Sequence, residues 1–565
     1  MMGNHSLKFP HPAIRTGEEF MKILGAIFLL AGGMVHAQTT DIRLNTIGFL
    51  PDEPKQATVA AACSNFTVVR QSDGQAVFTN AVAGPRLNED TAEQLYTADF
   101  SAFRESGAFQ LDVPGVGRSA PFHIGRDVYD EPFYTVMRGM YLWRCGMAVS
   151  STNHGIVFAH AACHTNDAWL DFAGGGHVNK NSTKGWHDAG DYNKYVVNAG
   201  VTVGVMLRAW EDFGPGIRAI ALHLPDAHAP TPEYLTEIKW ELEWLLTMQA
   251  ADGPVYHKVS TRRFGRFIPP EAETAPRYFA PWGSAATAQF VAMMAMAARD
   301  FRPFEPAFAD ECLQAAWKSQ RFLQAHPEDH RSDISQFSTG TYQVRDTGGR
   351  LWAAAELWET TGDGACLQDC ETRIRARDGV FDLKWDYGNI ENLGELTYLF
   401  SERAGRDEAL VSLLRTNLLA AADNLVKARD GHGYARPAGT AYSWGGNGVV
   451  ARQVVLLQAA HRLSPKPEYV TASLDALGHL LGRNYYGRSF VTGVGFKPPL
   501  HPHDRRTGEQ NLPEPWPGYL VGGPHPGPMN WEDEQGAFRV NEIAINWNAA
   551  LIYALAAFLS GTHGR

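Results

Sequence analysis

Residues Ala285–Phe301 read AATAQFVAMMAMAARDF, with apolar positions returning every three or four residues. That period stacks side chains on successive turns of an α-helix, where a strand would alternate them between two faces. The same spacing recurs in Phe133–Met147, Asn198–Phe213, Tyr234–Gln249, Gly349–Gly362 and Asn417–Ala428. It returns in Gly448–Leu463, Thr471–Gly482 and Asn541–Leu559. Long loops rich in glycine, proline and aromatic residues separate these runs, which argues against a simple bundle with tight connections. Roughly a dozen helices in one block predict a helical toroid or barrel with its loops gathered at one end.

Upstream the period shortens. Between Asp41 and Ile124 the segments Ile42–Pro51, Gln56–Ala61, Phe66–Arg70, Ala76–Asn80, Tyr96–Phe103 and Gly107–Val113 alternate or are β-branched. Pro-Asp-Glu-Pro, Ser-Asp-Gly and Val-Pro-Gly turns break them apart. Short strands at this density predict a small β-sandwich ahead of the helices.

The chain has 565 residues, 44% of them hydrophobic, enough for a large core in more than one domain. Its net charge of -11 is spread without a basic stripe. Nucleic acid and anionic membranes are therefore poor partners, because binding either rests on clustered cations. A neutral or mildly cationic ligand suits the balance better. Met21-Lys22, the apolar run Ile23–Val35 and the small-residue site ending at Ala37 predict a signal peptide over 21–37, and hence export to the periplasm or the medium. The apolar run is too short to span a bilayer, so no stable membrane insertion is expected.

Four stretches have the chemistry of a cleft. In GWHDAGDYNKYV, Gly185–Val196, Asp188 and Asp191 stand among Trp186, Tyr192 and Tyr195, just ahead of an apolar helical run. One aspartate there could cap the helix, but capping leaves the second and the aromatics unexplained. In NWEDEQGAFRVNE, Asn530–Glu542, Asp533 lies in a polar loop and Glu542 near the start of the last helix. A carboxyl facing an aromatic cleft there is desolvated and holds its proton to higher pH. Two carboxyls in unlike surroundings are what glycosidic cleavage needs, one to protonate the leaving oxygen and one to activate water. Between them lies HPHDRR, with His501, His503, Arg505 and Arg506 as hydrogen-bond donors to sugar hydroxyls, and Tyr442, Trp444, Trp516 and Trp531 as stacking candidates. Lastly, Cys145, Cys163, His164 and His187 have the chemistry of a closed tetrahedral zinc site; ordinary buried cysteines or a Cys145–Cys163 disulfide remain alternatives at this point.

Three separated motifs together resemble glycoside hydrolase family 9, the cellulase family, in its bacterial form with an N-terminal immunoglobulin-like domain. They are WHDAGDYNKY, the Pro502-His503-Asp504-Arg505 segment, and Trp531, Asp533, Phe538 and Glu542 followed by Asn548-Ala549. The resemblance implies an (α/α)6 barrel over 130–565 preceded by an immunoglobulin-like β-sandwich over 38–125. It implies inverting hydrolysis of β-1,4-glucosidic bonds in cellulose-like glucans or cello-oligosaccharides, with exo-acting β-glucosidase or exo-β-glucosaminidase as the alternative. By motif position Asp191 is the general base, Asp188 orients the attacking water and Glu542 is the general acid. Asp533 supports the site, His503 and Arg505 bind sugar, and Trp186 and Tyr192 are expected as further contacts. The same likeness implies structural zinc on Cys145, Cys163, His164 and His187. Calcium is implied too, with no ligands assigned. No organic cofactor is expected, and the partner is the glucan itself, met by a monomer.

Overall fold

The computed structural model describes residues 38–508 and 512–562; the expected leader at 21–37 lies outside the described residues. Strands occupy Ile42–Ile124 and the first long helix begins at Asp130. The strand Ala76–Asn88 pairs through its first half with Asn65–Arg70 and through its second with Glu93–Asp99, with a register shift between Ala83 and Arg86. One bent strand thus serves both faces of a sandwich. Between the faces lie Phe66, Val68, Phe100, Phe109, Leu111 and Phe122, all buried, with Phe49 edge-on to Phe100 at 5.1 Å. Phe66 and Val68, and Phe109 and Leu111, are alternate residues of their strands and so point to one face.

Among the described residues twelve helices of ten residues or more follow, arranged as two concentric rings. The inner ring is Val196–Arg218, Ser284–Phe301, Thr347–Thr361, Glu391–Phe400, Gly446–Leu463 and Ile545–Ala556. The last of these packs on both the first and the fifth, which brings the two ends of the series together. Between them in sequence run the outer helices Asp130–Leu142, Glu233–Thr247, Pro306–Ala325, Gly364–Arg375, Glu408–Gly431 and Pro467–Leu480. Composition sorts the rings. Ser284–Phe301 buries every residue except Arg299, and Ile545–Ala556 buries all of its residues. Glu408–Gly431 buries only a stripe, Leu410, Leu414, Leu418, Ala421, Ala422 and Leu425. A helix apolar all round must sit between other helices, whereas a striped one has a face to leave in water. Small residues let the inner helices approach: a Cβ on Gly394 would lie 2.9 Å from the Trp352 backbone.

Two small sheets were not anticipated, a three-stranded one of Lys194–Tyr195, Lys258–Ser260 and Tyr278–Phe279 and a hairpin. Val149–Asn153 and Ile156–His160 form an antiparallel hairpin between the first outer and first inner helices. It leads directly into Cys163 and His164.

Candidate active site

Backbone pairing gathers the three motifs. The Asp188 carbonyl accepts from the Ile545 N–H at 2.9 Å, and Ala189 bridges Ala544. The Gly190 carbonyl accepts from the Arg505 N–H at 3.1 Å, while the His503 N–H donates to Asn541 O at 2.8 Å. Glu542 in turn accepts through its carbonyl from the Gly522 N–H at 2.9 Å. Gly190 is obligatory here, since a Cβ would stand 2.2 Å from the His503 carbonyl oxygen. Neither aspartate caps a helix: the following helix starts at Val196 behind Tyr195, which makes no side-chain cap.

Asp188, Asp191 and Glu542 line one cavity of about 590 Å³ at an end of the barrel. His503, Arg505, Tyr195, Tyr342, Asp386, Tyr387, Asn546 and Trp547 share its wall, and the half-exposed rings of Phe264, Trp444 and Phe538 lie there too. Asp188 accepts from Asn198 Nδ2 at 2.8 Å and from the Tyr342 hydroxyl at 2.7 Å. Asp191 accepts from Asn193 Nδ2 at 2.6 Å and from the Tyr195 hydroxyl at 3.1 Å.

Burial and crowding act on all three carboxyls. Desolvation first, and the Asp191 charge second, push Asp188 up to about 8. Glu542 is pushed up to about 8 by the same two causes in the same order. Asp191 is raised by burial as well, but Arg505 and its two hydrogen-bond donors oppose the rise. The arrangement therefore favours one anion at Asp191 with protons on its neighbours.

His503 donates through Nδ1 to Gln535 O at 2.7 Å, and burial holds its pKa below the usual imidazole range. Its Nε2 is then an acceptor toward a ligand hydroxyl, where a donor had been expected. Arg505 is braced by Gly190 O at 2.9 Å and Gly265 O at 3.2 Å, its guanidinium over Phe264 and Phe267.

Other expected contacts lie away from the cavity wall. Trp186 is buried, its indole N–H given to Glu237 at 2.9 Å. The Tyr192 hydroxyl is used up on Ile268 O at 2.6 Å. Both aromatics pack behind the aspartate loop, because each polar tip has an internal partner. Asp533 accepts from the Leu500 N–H at 2.9 Å and the His501 N–H at 2.9 Å, and pairs with Arg488 at 3.0 Å. It braces the His503 loop from outside. Arg506 is likewise buried against Asp504, and Trp516 is core. Sequence reading missed Tyr342, Asp386, Tyr387 and Trp547, which come from loops and helix ends with no motif of their own.

Just behind Asp188, the donor atoms of Cys145, Cys163, His164 and His187 all lie within 4.8 Å of one another. All six cysteines are free thiols, so the Cys145–Cys163 disulfide does not form. Cys163 Sγ stands 3.6 Å from His187 Nε2. His164 turns Nε2 toward Glu273 at 3.4 Å and leaves Nδ1 buried without a hydrogen-bond partner. A carboxylate on the outer nitrogen is the usual support of a metal-ligating imidazole. The Cys145 N–H donates to Gly185 O at 2.7 Å and the His187 N–H to Trp143 O at 2.9 Å, tying the cluster to the aspartate loop.

A double ring of helices with three carboxyls converging on a cavity at one mouth has the make-up of a glycoside hydrolase. The chain belongs to glycosyl hydrolase family 9, whose model matches residues 129–555, with a cellulase N-terminal ig-like domain matching 37–118. It is 53% identical over 522 residues to Endoglucanase D of Acetivibrio thermocellus, covering 92% of this chain and 83% of that one. A metagenome-derived family 9 endoglucanase superposes with a TM-score of 0.85 at 35% identity, over 92% of this chain and 99% of the other. A zinc-binding triple mutant of the family 9 endoglucanase J30 does so at 0.84 and 32% identity, over 90% and 99%.

Proposed function

We propose that the protein is an endo-β-1,4-glucanase that hydrolyses cellulose-like chains with inversion at the anomeric carbon. The observation that carries this reading is the convergence of Asp188, Asp191 and Glu542 on one sugar-sized cavity, with Asp188 and Glu542 pushed up to about 8 and the rise at Asp191 opposed by Arg505, Asn193 and Tyr195. Glu542 protonates the leaving glycosidic oxygen. Asp191 takes a proton from the attacking water, and Asp188, fixed by Asn198 and Tyr342, orients that water. The two proton transfers occur on opposite faces of the sugar, so no covalent glycosyl intermediate forms. His503 accepts from a sugar hydroxyl and Arg505 donates to one, while Asp533 keeps the His503 loop in place. Likeness to Endoglucanase D supports endo cleavage of β-1,4-glucan over exo attack.

The reading includes a structural zinc ion on Cys145, Cys163, His164 and His187. Tetrahedral zinc with Zn–S of about 2.3 Å and Zn–N of about 2.1 Å sets sulfur and nitrogen roughly 3.6 Å apart, which the Cys163–His187 separation of 3.6 Å fits. Four protein ligands would leave no position for water, so the ion would serve to pin the loop that ends in Asp188. Export through the 21–37 leader completes the proposal, on the sequence pattern alone. The test is a timed product analysis on carboxymethyl cellulose and cello-oligosaccharides, with anomers followed by NMR. Rapid viscosity loss and α-anomer as the first-formed product are expected. Monomer as the first product, or β-anomer, overturns the assignment.

A further inference from the structure

The β-sandwich does not line the cavity, yet one of its turns is bonded into a loop that does. Asp90 lies between the strands Ala76–Asn88 and Glu93–Asp99. Its Oδ2 accepts from the Tyr442 hydroxyl at 2.8 Å and from His432 Nε2 at 3.1 Å. The imidazole donates through Nε2 because its Nδ1 is occupied by the Tyr434 N–H at 3.2 Å. Beside it Asn88 Oδ1 accepts from the Gly433 N–H at 2.9 Å, and Asn88 Nδ2 donates to Thr91 Oγ1 at 2.9 Å. Arg436 is buried with its guanidinium 4.3 Å over the Tyr442 ring, and donates to the carbonyls of Gly439 at 2.7 Å and Ala441 at 2.8 Å. Apart from the Asn88–Thr91 bond inside the turn, these contacts converge on the segment 432–442.

Two residues on is Trp444, 45% exposed, in the cavity wall and 5.6 Å from the Phe538 ring. Around it the Ser443 carbonyl accepts from the Gly446 N–H at 2.9 Å, closing a turn over Trp444 where the inner helix begins. Trp444 therefore hangs between the helix start and the Tyr442 anchor, with the half-exposed Phe538 ring as its neighbour in the wall. An exposed indole presented at a fixed angle is a good platform for the apolar face of a sugar, because its ordering cost is met before the ligand arrives.

We propose that Asp90 is a positioning residue for substrate binding: through Tyr442 it sets the Trp444 ring, so that the β-sandwich shapes the aromatic wall of the glucan cleft without touching the chain bound there. This rests on the glucanase reading above. Asp90 is suited to the task. Burial works against its charge, but His432 and Tyr442 prevail and hold its carboxyl below the ordinary aspartate value.

The experiment compares wild type with Asp90→Ala, Asp90→Asn, Tyr442→Phe, Trp444→Ala and the Asp90→Ala/Trp444→Ala double variant. Each is assayed on cello-oligosaccharides of increasing length and on a short aryl β-cellobioside, with melting temperature measured alongside. One hydrogen bond's net worth predicts that Asp90→Ala and Tyr442→Phe raise KM for long chains about 3- to 10-fold. Their kcat on the aryl glycoside should stay within about twofold, and Asp90→Asn, which keeps an acceptor, should restore most of the KM. In the Trp444→Ala background, removing Asp90 should add less than about twofold, since the route through that ring is already cut. Equal losses at every substrate length, or additive effects with Trp444→Ala, would overturn the proposal. Tyr442→Phe, which deletes one hydroxyl, decides the matter if Asp90→Ala does not fold. Should wild type leave β-1,4-glucans intact, the glucanase reading fails separately. The positioning is then read from tryptophan emission: Asp90→Ala should alter it in the wild-type background but not in Trp444→Ala, and an unaltered spectrum overturns the proposal.

Discussion

Replacing Glu542 with Gln isolates the proton that the proposed chemistry requires. A glutamic acid at its ordinary value of 4.5 would be protonated in about 0.3% of molecules at pH 7, whereas at about 8 the fraction is roughly 90%. Burial and the Asp191 charge thus keep the acid loaded at neutrality. The amide has the same shape and can still occupy the cavity wall, but it has no proton to give to a leaving oxygen. The expected loss in kcat/KM on cello-oligosaccharides is about 10²–10⁴-fold, almost all of it in kcat. A dinitrophenyl β-cellobioside, whose leaving group departs without protonation, should lose less than about tenfold. The alkaline limb of the pH–rate profile, which reports deprotonation of Glu542, should disappear in the variant. Stability supplies a second reading with a definite sign. The folded carboxyl is raised from 4.5 to about 8, so its contribution is complete below 4.5 and is lost as pH rises through 8. The amide escapes this loss, and the melting temperature of Glu542→Gln relative to wild type should climb across that window. Steady-state kinetics on both substrates from pH 4 to 9, with melting curves at the same pH values, makes the test. Near-normal turnover of the oligosaccharide, or an unchanged alkaline limb, would refute the acid assignment.

The base and the metal cluster give their own outcomes. Asp191→Asn should cost about 10²–10⁴-fold on oligosaccharide and activated glycoside alike, because water attack is needed for both; a variant rescued by the better leaving group would not have lost its base. Elemental analysis of the purified chain should find about one zinc per molecule, and Cys163→Ser or prolonged chelation should remove it and lower the melting temperature by about 5 °C or more. A metal-free protein with wild-type melting would leave the four ligands as an ordinary buried cluster.

Much of this was legible in the sequence, for identifiable reasons. Helical period marked five of the six inner helices between Asn198 and Leu559 because they are apolar over whole turns, and passed over the ten-residue helix Glu391–Phe400. Ring closure was not legible, since no period within one helix states which other helix it touches. Aspartates and a glutamate at wide separation were readable as a site only through their motifs. The aromatic neighbours misled: Trp186 and Tyr192 stand beside the carboxylates in sequence, but their indole and hydroxyl donate to Glu237 and Ile268 inside the protein. Chain proximity says nothing about which side of a loop faces the cavity. Tyr342 and Asp386 were invisible for the opposite reason, being brought to the wall by long loops with neither period nor charge pattern. The hairpin ahead of Cys163 was overlooked because five-residue strands between two strong helical runs carry little signal.

A site with Asp188, Asp191 and Glu542 in one desolvated cavity is intrinsically unfavourable, and the fold holds it together by rigid means on each side. The aspartate loop is pinned at one end by the cluster that includes His187 and at the other by the inner helix beginning at Val196. Glu542 cannot retreat, because its backbone accepts from Gly522 and its neighbours pair with Asp188 and His503. Relief must therefore come through protonation. Since the Asp191 charge is itself among the causes that raise Asp188 and Glu542, ionising the base loads the acid. The protonation split that cleavage needs follows from crowding carboxyls that the backbone forbids to separate, with Arg505, Asn193 and Tyr195 deciding that the charge rests on Asp191.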